Sequence, residues 1–329
     1  MNVISLFCGC GGFDLGIIGG FDYLGKHYKQ TGHKIIFAVD SDKNACSTYF
    51  KNIGEHVVCS KVEEIKEYPE AEMVIGGYPC QGFSIIGTRL VADKRNFLYL
   101  EYARCLEQVK PKVFIAENVK GLLSMSKGKI IEAMVKEFQR KGYKVNYKLL
   151  NAKNYGIPQE RERVFIVGVR KDVSFDFEYP EKTHVEEEDL LQPSLFEQHE
   201  KYITLRDALG DLDEPAQDAI YSAGFSPLYM SRNRRRGWNE SSFTIQAGSM
   251  HVPLHPSSPP MEQIGEDHWE FGGDGPSRRL TVKECMRIQS FPDNFKLNGE
   301  GFATKYRQVG NAVPPVLSWH LAIKIPSII

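Results

Sequence analysis

The sequence predicts an α/β fold, Rossmann-like and doubly wound, with a mostly parallel sheet and a second, smaller domain. In the first half, apolar runs alternate with amphipathic segments, and a glycine-rich turn follows the first apolar run. This alternation is typical of βα units whose helices pack on a parallel sheet. The predicted strands are residues 3–7, 34–39, 56–59, 73–76, 113–116, 145–150 and 164–169. The predicted helices are residues 44–52, 96–109 and 129–141.

The alternation ends near Phe175, and this change predicts the second domain. Polar and acidic stretches follow, with Pro259-Pro260 and Gly272-Gly273. Helical spacing returns at Arg279, and an apolar helix is predicted over residues 315–325. We therefore expect a first domain over residues 1–175, a second over 176–277, and a segment, 278–329, that returns to the first.

Composition indicates a globular protein but no particular function. Of 329 residues, 42% are hydrophobic and 25% charged, and the net charge is −1. Because the start lacks a basic signal region and no apolar run could span a bilayer, we expect a cytoplasmic protein without a membrane partner. Seven scattered cysteines indicate reduced thiols. Cys8 and Cys10 lack a second ligand pair, so no metal is expected.

Charge is distributed unevenly along the chain. Residues 186–189 are acidic and residues 232–236 are rich in arginine. Such asymmetry can give one face a positive potential although the total charge is near zero. The arginine run fits either a nucleic-acid surface or an ordinary solvated surface.

The glycine-rich turn, residues 7–16, directly follows a predicted strand and precedes a helix. Its glycines permit a tight turn and close approach to a ligand. The next long strand ends at Asp40, whose carboxylate could bind two ribose hydroxyls. The spacing is not that of a dinucleotide fingerprint, so a nucleoside cofactor is favoured over a dinucleotide or a purely structural turn.

Two further positions follow predicted strands. Cys80 lies in a loop shaped by Gly76, Gly77 and Pro79, which favours a nucleophile over a small buried hydrophobe. Glu117 follows an apolar strand at the same edge, where it is either a surface residue or a proton donor with a raised pKa.

Residues 159–163 precede another predicted strand, and the alternation of side chains along a strand places Arg161 and Arg163 on one face. An ion-paired edge strand is the alternative there.

Six motifs occur in one order over nearly the whole chain, and together they resemble the DNA cytosine-5 methyltransferase family, of the bacterial restriction–modification type. They are residues 7–12, 79–81, 117–119, 159–163, 279–292 and 310–315. The resemblance implies the S-adenosylmethionine-dependent methyltransferase fold. It also implies methyl transfer to C5 of a cytosine flipped out of duplex DNA, leaving S-adenosylhomocysteine.

The resemblance implies a role for each site residue. The thiolate of Cys80 adds to C6, and Glu117 engages N3 and the exocyclic amine. Arg163 orients the base and that carboxylate, with support from Arg161. The implied cofactor residues are Phe7, Gly9, Gly11, Gly12, Asp40, Val62, Pro79, Leu98, Asn311 and Val313. Lys61 departs from the family pattern, which usually has an acidic contact to adenine there.

In this family the variable segment reads DNA, so residues 176–277 are implied to form a target-recognition domain. Residues 230–247 are similar to the recognition regions of GGCC-modifying members, although those carry an arginine near Met250. Arg232 and Arg234 are expected on bases, and Arg235 and Arg236 on phosphates. The loop after Cys80, with Ser84 and Arg89, resembles a mobile loop that contacts DNA.

Two alternative functions would use a similar set of motifs. One branch of the family methylates tRNA, but its short recognition signature is not found here. A DNA-binding protein with an inactive centre is disfavoured because the catalytic positions are intact. The expected partners are double-stranded DNA and a cognate restriction endonuclease that need not contact the chain. We expect a monomer, associated with the bacterial nucleoid when on DNA, and no metal at His251 and His255, since Pro253 separates them.

Overall fold

A seven-stranded sheet forms the centre of the computed structural model, which describes residues 1–79, 98–191 and 199–328 and the backbone of 84–86 and 89–91. Its strands are β1 (Asn2–Leu6), β2 (Lys34–Asp40), β3 (Val57–Cys59), β4 (Met73–Gly76), β5 (Val113–Val119), β6 (Tyr143–Asn151) and β7 (Glu162–Arg170). Their spatial order is β6-β7-β5-β4-β1-β2-β3. Only β7 runs antiparallel to its neighbours in this sheet. The predicted mostly parallel α/β sheet is confirmed.

Apolar residues cover both faces of this sheet. Along β1, Val3 packs into one apolar cluster, whereas Ile4 and Leu6 pack into the other. Along β5, Val113 and Ile115 face the first cluster and Phe114 and Ala116 the second. Burial on both sides explains why these strands read as continuous apolar runs rather than alternating ones.

Eight helices are described: α1 (Gly12–Ile18), α2 (Lys43–Asn52), α3 (Leu98–Val109), α4 (Lys129–Arg140), α5 (Leu205–Leu209), α6 (Val282–Ile288), α7 (Gly301–Asn311) and α8 (Pro315–Ala322). Helix α6 begins where Thr281 and Glu284 form a reciprocal capping box. Helix α8 packs so closely on α1 that a Cβ at Gly16 would overlap the carbonyl oxygen of Pro315. Each of these helices is too short to cross a membrane.

The remaining strands are short and pair two by two: Phe21–Tyr23 with Lys26–Tyr28, Ser84–Ile86 with Arg89–Val91, Gln159–Glu160 with Ser242–Phe243, His184–Val185 with Glu200–Lys201, and Met261–Gly265 with His268–Phe271. A third apolar cluster joins Leu205, Ile245 and Val252 to Cys285 on α6 and Val309 on α7. Residues of the predicted second domain thus share a core with the segment that follows it.

Candidate active site

The carboxyl ends of β1, β4 and β5 meet the amino end of β7 at one edge of the sheet, because β7 runs in the opposite direction. The register pairs Phe165 with Glu117 and Arg163 with Val119. Glu117 and Arg163 are therefore diagonal neighbours on one face. Strand direction brings together two residues that lie 46 positions apart in the sequence.

Glu117 and Arg163 form a nearly buried ion pair. The Nε atom of Arg163 lies 3.0 Å from Oε1 of Glu117, and their side chains are 15% and 12% exposed. Burial raises the pKa of Glu117, while the positive charges of Arg163 and Arg161 oppose that rise. A Cβ at Gly77 would lie 2.8 Å from the other carboxylate oxygen, so glycine there leaves room for the acid.

The start of the Cys80 loop is held by the residue after Glu117. Asn118 is buried, and its side-chain amide donates to the Tyr78 carbonyl at 3.0 Å. This bond fixes the backbone two residues before Cys80 and leaves Pro79 exposed at the edge. Cys80 itself lies outside the described residues, as do the side chains of Ser84 and Arg89.

Arg161 lies deeper than its predicted partner Arg163. Its guanidinium is fully buried and donates to three carbonyls, those of Ile245 at 3.1 Å, Gly310 at 2.8 Å and Ala312 at 2.9 Å. A charged donor makes hydrogen bonds of about 1.5–3 kcal/mol each. Arg161 thus ties two distant segments, at Ile245 and at Gly310 and Ala312, to the start of β7 beneath the site. It acts on Glu117 through its charge.

Two glutamines, which sequence reasoning assigned no role, extend this buried connection. The Gln159 amide donates to Oε1 of Gln289 at 2.6 Å, and its own Oε1 accepts from the backbone N–H of Ile245 at 2.8 Å. Gln289 in turn donates to the Ala312 carbonyl at 2.6 Å. Both glutamines lie inside motifs that carry the family resemblance, and this position was the signal in the sequence that could have identified them. They tie residues 245 and 312 to the start of β7.

Three residues of the glycine-rich turn adopt the left-handed backbone. Phe7, Gly9 and Gly11 have φ of 55°, 55° and 92°. The Gly9 N–H donates to Oδ2 of Asp40 at 2.8 Å, and burial raises the pKa of that carboxyl. A Cβ on Gly9 would meet no atom within 4 Å, so the turn faces open space there. A ligand can approach the backbone from that side.

The other predicted cofactor residues lie on neighbouring elements. A Cβ at Gly12 would lie 2.6 Å from the Val313 carbonyl oxygen, so these two residues are in contact. Phe7, Val62 and Leu98 pack into one apolar cluster. Asn311, at the end of α7, is exposed. Lys61 is exposed and precedes a 3-10 turn, Val62–Glu64.

The arginine run separates into members with different surroundings. Arg232 is exposed and, within the described part of the chain, makes no hydrogen bond or ion pair. Arg234 was predicted as a base reader, but it is 4% exposed and its Nε donates to the Tyr229 carbonyl at 3.0 Å. Its guanidinium also lies over the Tyr229 ring, 4.9 Å from the centroid. In this conformation Arg234 supports its own loop.

The last two arginines also have protein partners. Arg235 donates to the Pro256 carbonyl at 2.9 Å. Arg236 pairs with Glu160 at 3.0 Å and with Glu240 at 2.9 Å. The side chains expected on phosphates thus reach the protein itself here.

No metal is expected at two pairs of residues, Cys8 with Cys10 and His251 with His255. Cys8 and Cys10 are buried, and the Cys10 thiol donates to the Gln308 carbonyl at 3.6 Å. His255 is buried beside Glu284, with Nε2 3.6 Å from Oε1. Over residues 1–79, 98–191 and 199–328, no group of three or more His, Cys, Asp and Glu side chains is arranged to hold a metal ion.

Comparison with known proteins gives matches over nearly the full chain. Residues 1–327 match the family described as C-5 cytosine-specific DNA methylase. The type II methyltransferase M.BspRI of Lysinibacillus sphaericus is 43% identical, over 98% of this chain and 81% of that protein. M.BsuRI of Bacillus subtilis is 41% identical, over 99% and 79%. The fold is similar to that of a Spodoptera frugiperda DNMT2 mutant (TM-score 0.69, 17% identity, 98% of this chain and 99% of that chain).

Proposed function

The chain belongs to the C-5 cytosine-specific DNA methylase family, and from this premise we propose that Cys80 is the nucleophile that adds to C6 of the target cytosine. Its activity is DNA cytosine-5 methylation of the restriction–modification type rather than tRNA methylation. The observation that carries the proposal is the Glu117–Arg163 pair at the sheet edge, where Asn118 binds the carbonyl of Tyr78, two residues before Cys80.

In the proposed mechanism, the side chains at this edge manage charge on the flipped base. Attack by the Cys80 thiolate on C6 places electron density on the ring, and Glu117 relieves it by sharing a proton with N3. Its raised pKa suits that role, since the carboxyl keeps a proton more readily than a free one. Arg163 holds the carboxylate in place, and Arg161 supports the backbone behind it.

The proposed cofactor is S-adenosylmethionine, which supplies an electrophilic methyl group. The residues present fit it, because the turn at Phe7, Gly9 and Gly11 leaves an open cradle and Asp40 ends the adjacent strand. Gly12 and Val313 would form one wall through their contact. Val62, Pro79, Leu98 and Asn311 complete the proposed pocket, and Lys61 takes the position of the family's usual acid.

We further propose that residues 176–277 form the target-recognition domain and that 278–329 complete the catalytic domain of 1–175. The packing of α8 on α1 supports the second assignment.

We propose that the protein acts as a monomer on duplex DNA and that a cognate endonuclease acts separately. GGCC is the proposed target, on the similarity of residues 230–247 to recognition regions for that sequence. Bisulfite sequencing of DNA from cells expressing the gene tests this: methylation outside GGCC would contradict it.

Replacing Arg232 with alanine is expected to weaken discrimination at one guanine of the target by about 1–3 kcal/mol, because a bidentate arginine reads O6 and N7 together. Arg232 is the exposed arginine of the run and has room to reach a base. Competition binding with duplexes altered at each target position measures the effect. Arg235→Ala is the matched control, expected to leave discrimination among the duplexes unchanged, because its guanidinium donates to the Pro256 carbonyl. Equal weakening by Arg232→Ala would assign Arg232 to phosphate instead.

A further inference from the structure

A carboxylate with no role in the proposed chemistry is buried beneath the glycine-rich turn. Asp14 lies in the first turn of α1 and is fully buried. The Tyr49 hydroxyl donates to its Oδ1 at 2.8 Å, and Nε2 of His56 lies 3.1 Å from the same hydroxyl. Its Oδ2 is buried and makes no hydrogen bond within the described residues, although the nearby Ser5 hydroxyl lowers the pKa of the carboxyl. Burying a carboxylate oxygen without a hydrogen bond costs free energy unless another group stabilises the negative charge.

Asp14 lies against the proposed cofactor turn. A Cβ at Gly11 would come within 3.1 Å of the Tyr49 ring, the same ring whose hydroxyl holds Asp14. Asp14 acts electrostatically on the Cys8 thiol and is itself acted on by Asp40. The groups with the largest influence on Asp14 include no cation. The inner side of the turn therefore carries negative charge without a compensating positive group among those neighbours.

We propose that Asp14 makes the cofactor site selective for charge, favouring the cationic sulfonium of S-adenosylmethionine over the neutral thioether of S-adenosylhomocysteine. The inference rests on the proposed cofactor site. The two ligands share their adenine, ribose, amine and carboxyl groups and differ by one methyl group and one positive charge. A buried anion discriminates between them by Coulomb attraction alone, which helps substrate replace product after each turnover. Unit charges about 10 Å apart at an effective dielectric of about 20 give a roughly tenfold preference.

The preference should depend on pH, because burial raises the pKa of Asp14 to about 6. Above that pH the carboxylate is charged and attracts the sulfonium; as pH falls through it, the charge and the preference are lost. The groups facing Asp14 are Ser5 on β1, Tyr49 on α2, Asp40 on β2, and the thiols of Cys8 and Cys10 in the turn itself.

These neighbours do not mask the effect. Burial raises the pKa of both thiols, that of Cys10 to about 12, and lowers that of His56 behind Tyr49, so all three stay neutral near pH 7. The pKa of Asp40 is also raised. Asp40 would hold the ribose, which both ligands share, and its charge is the same in the native protein and in Asp14→Asn. Helix α8 presents the uncharged Ser318 to α1 at Gly16.

Calorimetric titration of the full chain with each ligand at pH 7.5 and pH 5.5 tests the proposal. For the native protein, the ratio of the two dissociation constants should favour the sulfonium about threefold more at pH 7.5 than at pH 5.5, because part of Asp14 is still ionised just below a pKa of about 6. Asp14→Asn keeps the shape but removes the charge, so its ratio should be the same at both pH values and lower than the native ratio at either. Glu55→Gln removes an exposed charge next to His56 in the sequence, which solvent screens, and should behave as the native protein does.

Tyr49→Phe provides a second variant if Asp14→Asn does not fold. It removes the donor to Oδ1, so the pKa of Asp14 should rise further and the preference should disappear at a higher pH than in the native protein. A ratio that is the same in the native protein, Asp14→Asn and Tyr49→Phe would overturn the inference while leaving the cofactor site intact. Failure of the native protein to bind either ligand would overturn the proposed cofactor site and the inference with it.

Discussion

Cys80→Ser is expected to reduce methyl transfer by roughly 10⁴-fold or more, because a serine hydroxyl is far less nucleophilic than a thiolate. The proposed reaction begins with addition to C6, and without that step C5 does not become nucleophilic. Duplex binding should stay within a few-fold of the native value, since the recognition residues are untouched. Single-turnover transfer of labelled methyl groups measures the chemical step, and a gel-shift titration measures binding.

Two other outcomes of the Cys80→Ser experiment would contradict this expectation. Methylation retained by Cys80→Ser would show that the nucleophile is assigned wrongly. Loss of binding together with activity would show that the substitution disturbs the loop that Asn118 anchors through the Tyr78 carbonyl. Cys59→Ser is a matched control, because Cys59 is an exposed thiol at the end of β3 and should tolerate the change with little loss.

Glu117→Gln is expected to lower the single-turnover rate by about 10²–10⁴-fold, the usual range for losing a positioned proton donor. The amide fills the same space and can still hydrogen bond to the base, but it cannot deliver a proton to N3 as charge develops there. Glu117 also neutralises Arg163, which is only 15% exposed, so a second cost arises from leaving that cation unpaired.

A control for Glu117→Gln is Glu162, the first residue of β7. Glu162 pairs with Lys120 at 2.6 Å and is 35% exposed, so Glu162→Gln removes one charge near the site without touching the proposed donor. It should retain activity within about twofold, since exposed ion pairs contribute about 0–1 kcal/mol. Equal losses from both variants would mean that general electrostatics, not proton transfer, explains the effect.

The sheet could be predicted closely from sequence because each central strand is buried on both faces. The predicted strand 73–76 agrees with β4. The predicted strand 164–169 is shorter than the observed β7, which spans Glu162–Arg170. The strand extends to polar residues because Arg163 remains in register with Val119 and pairs with Glu117. The reversed direction of β7 could not be predicted from an apolar run, yet it is what places Arg163 at the carboxyl edge.

Other features depend on contacts between distant parts of the chain. The sequence groups Arg232 and Arg234 in one basic run, but only the fold shows that the Tyr229 ring and carbonyl enclose Arg234. The three carbonyl partners of Arg161 lie 84 or more positions away. Helix 315–325 was predicted too long, since regular α8 ends at Ala322. Such outcomes are set by tertiary packing, which local periodicity does not encode.

The central claim is that methyl transfer proceeds through a bond between Cys80 and C6 of a cytosine in duplex DNA. A target duplex whose cytosine carries fluorine at C5 tests it most directly, because the final step must remove the C5 substituent as a cation and fluorine cannot leave in that way. Incubation with S-adenosylmethionine should give a stable covalent complex, and mass spectrometry should place the methylated base on the peptide containing Cys80, with none formed by Cys80→Ser. Methylation of ordinary duplex without any trapped complex, or a trapped base on another residue, would contradict the account.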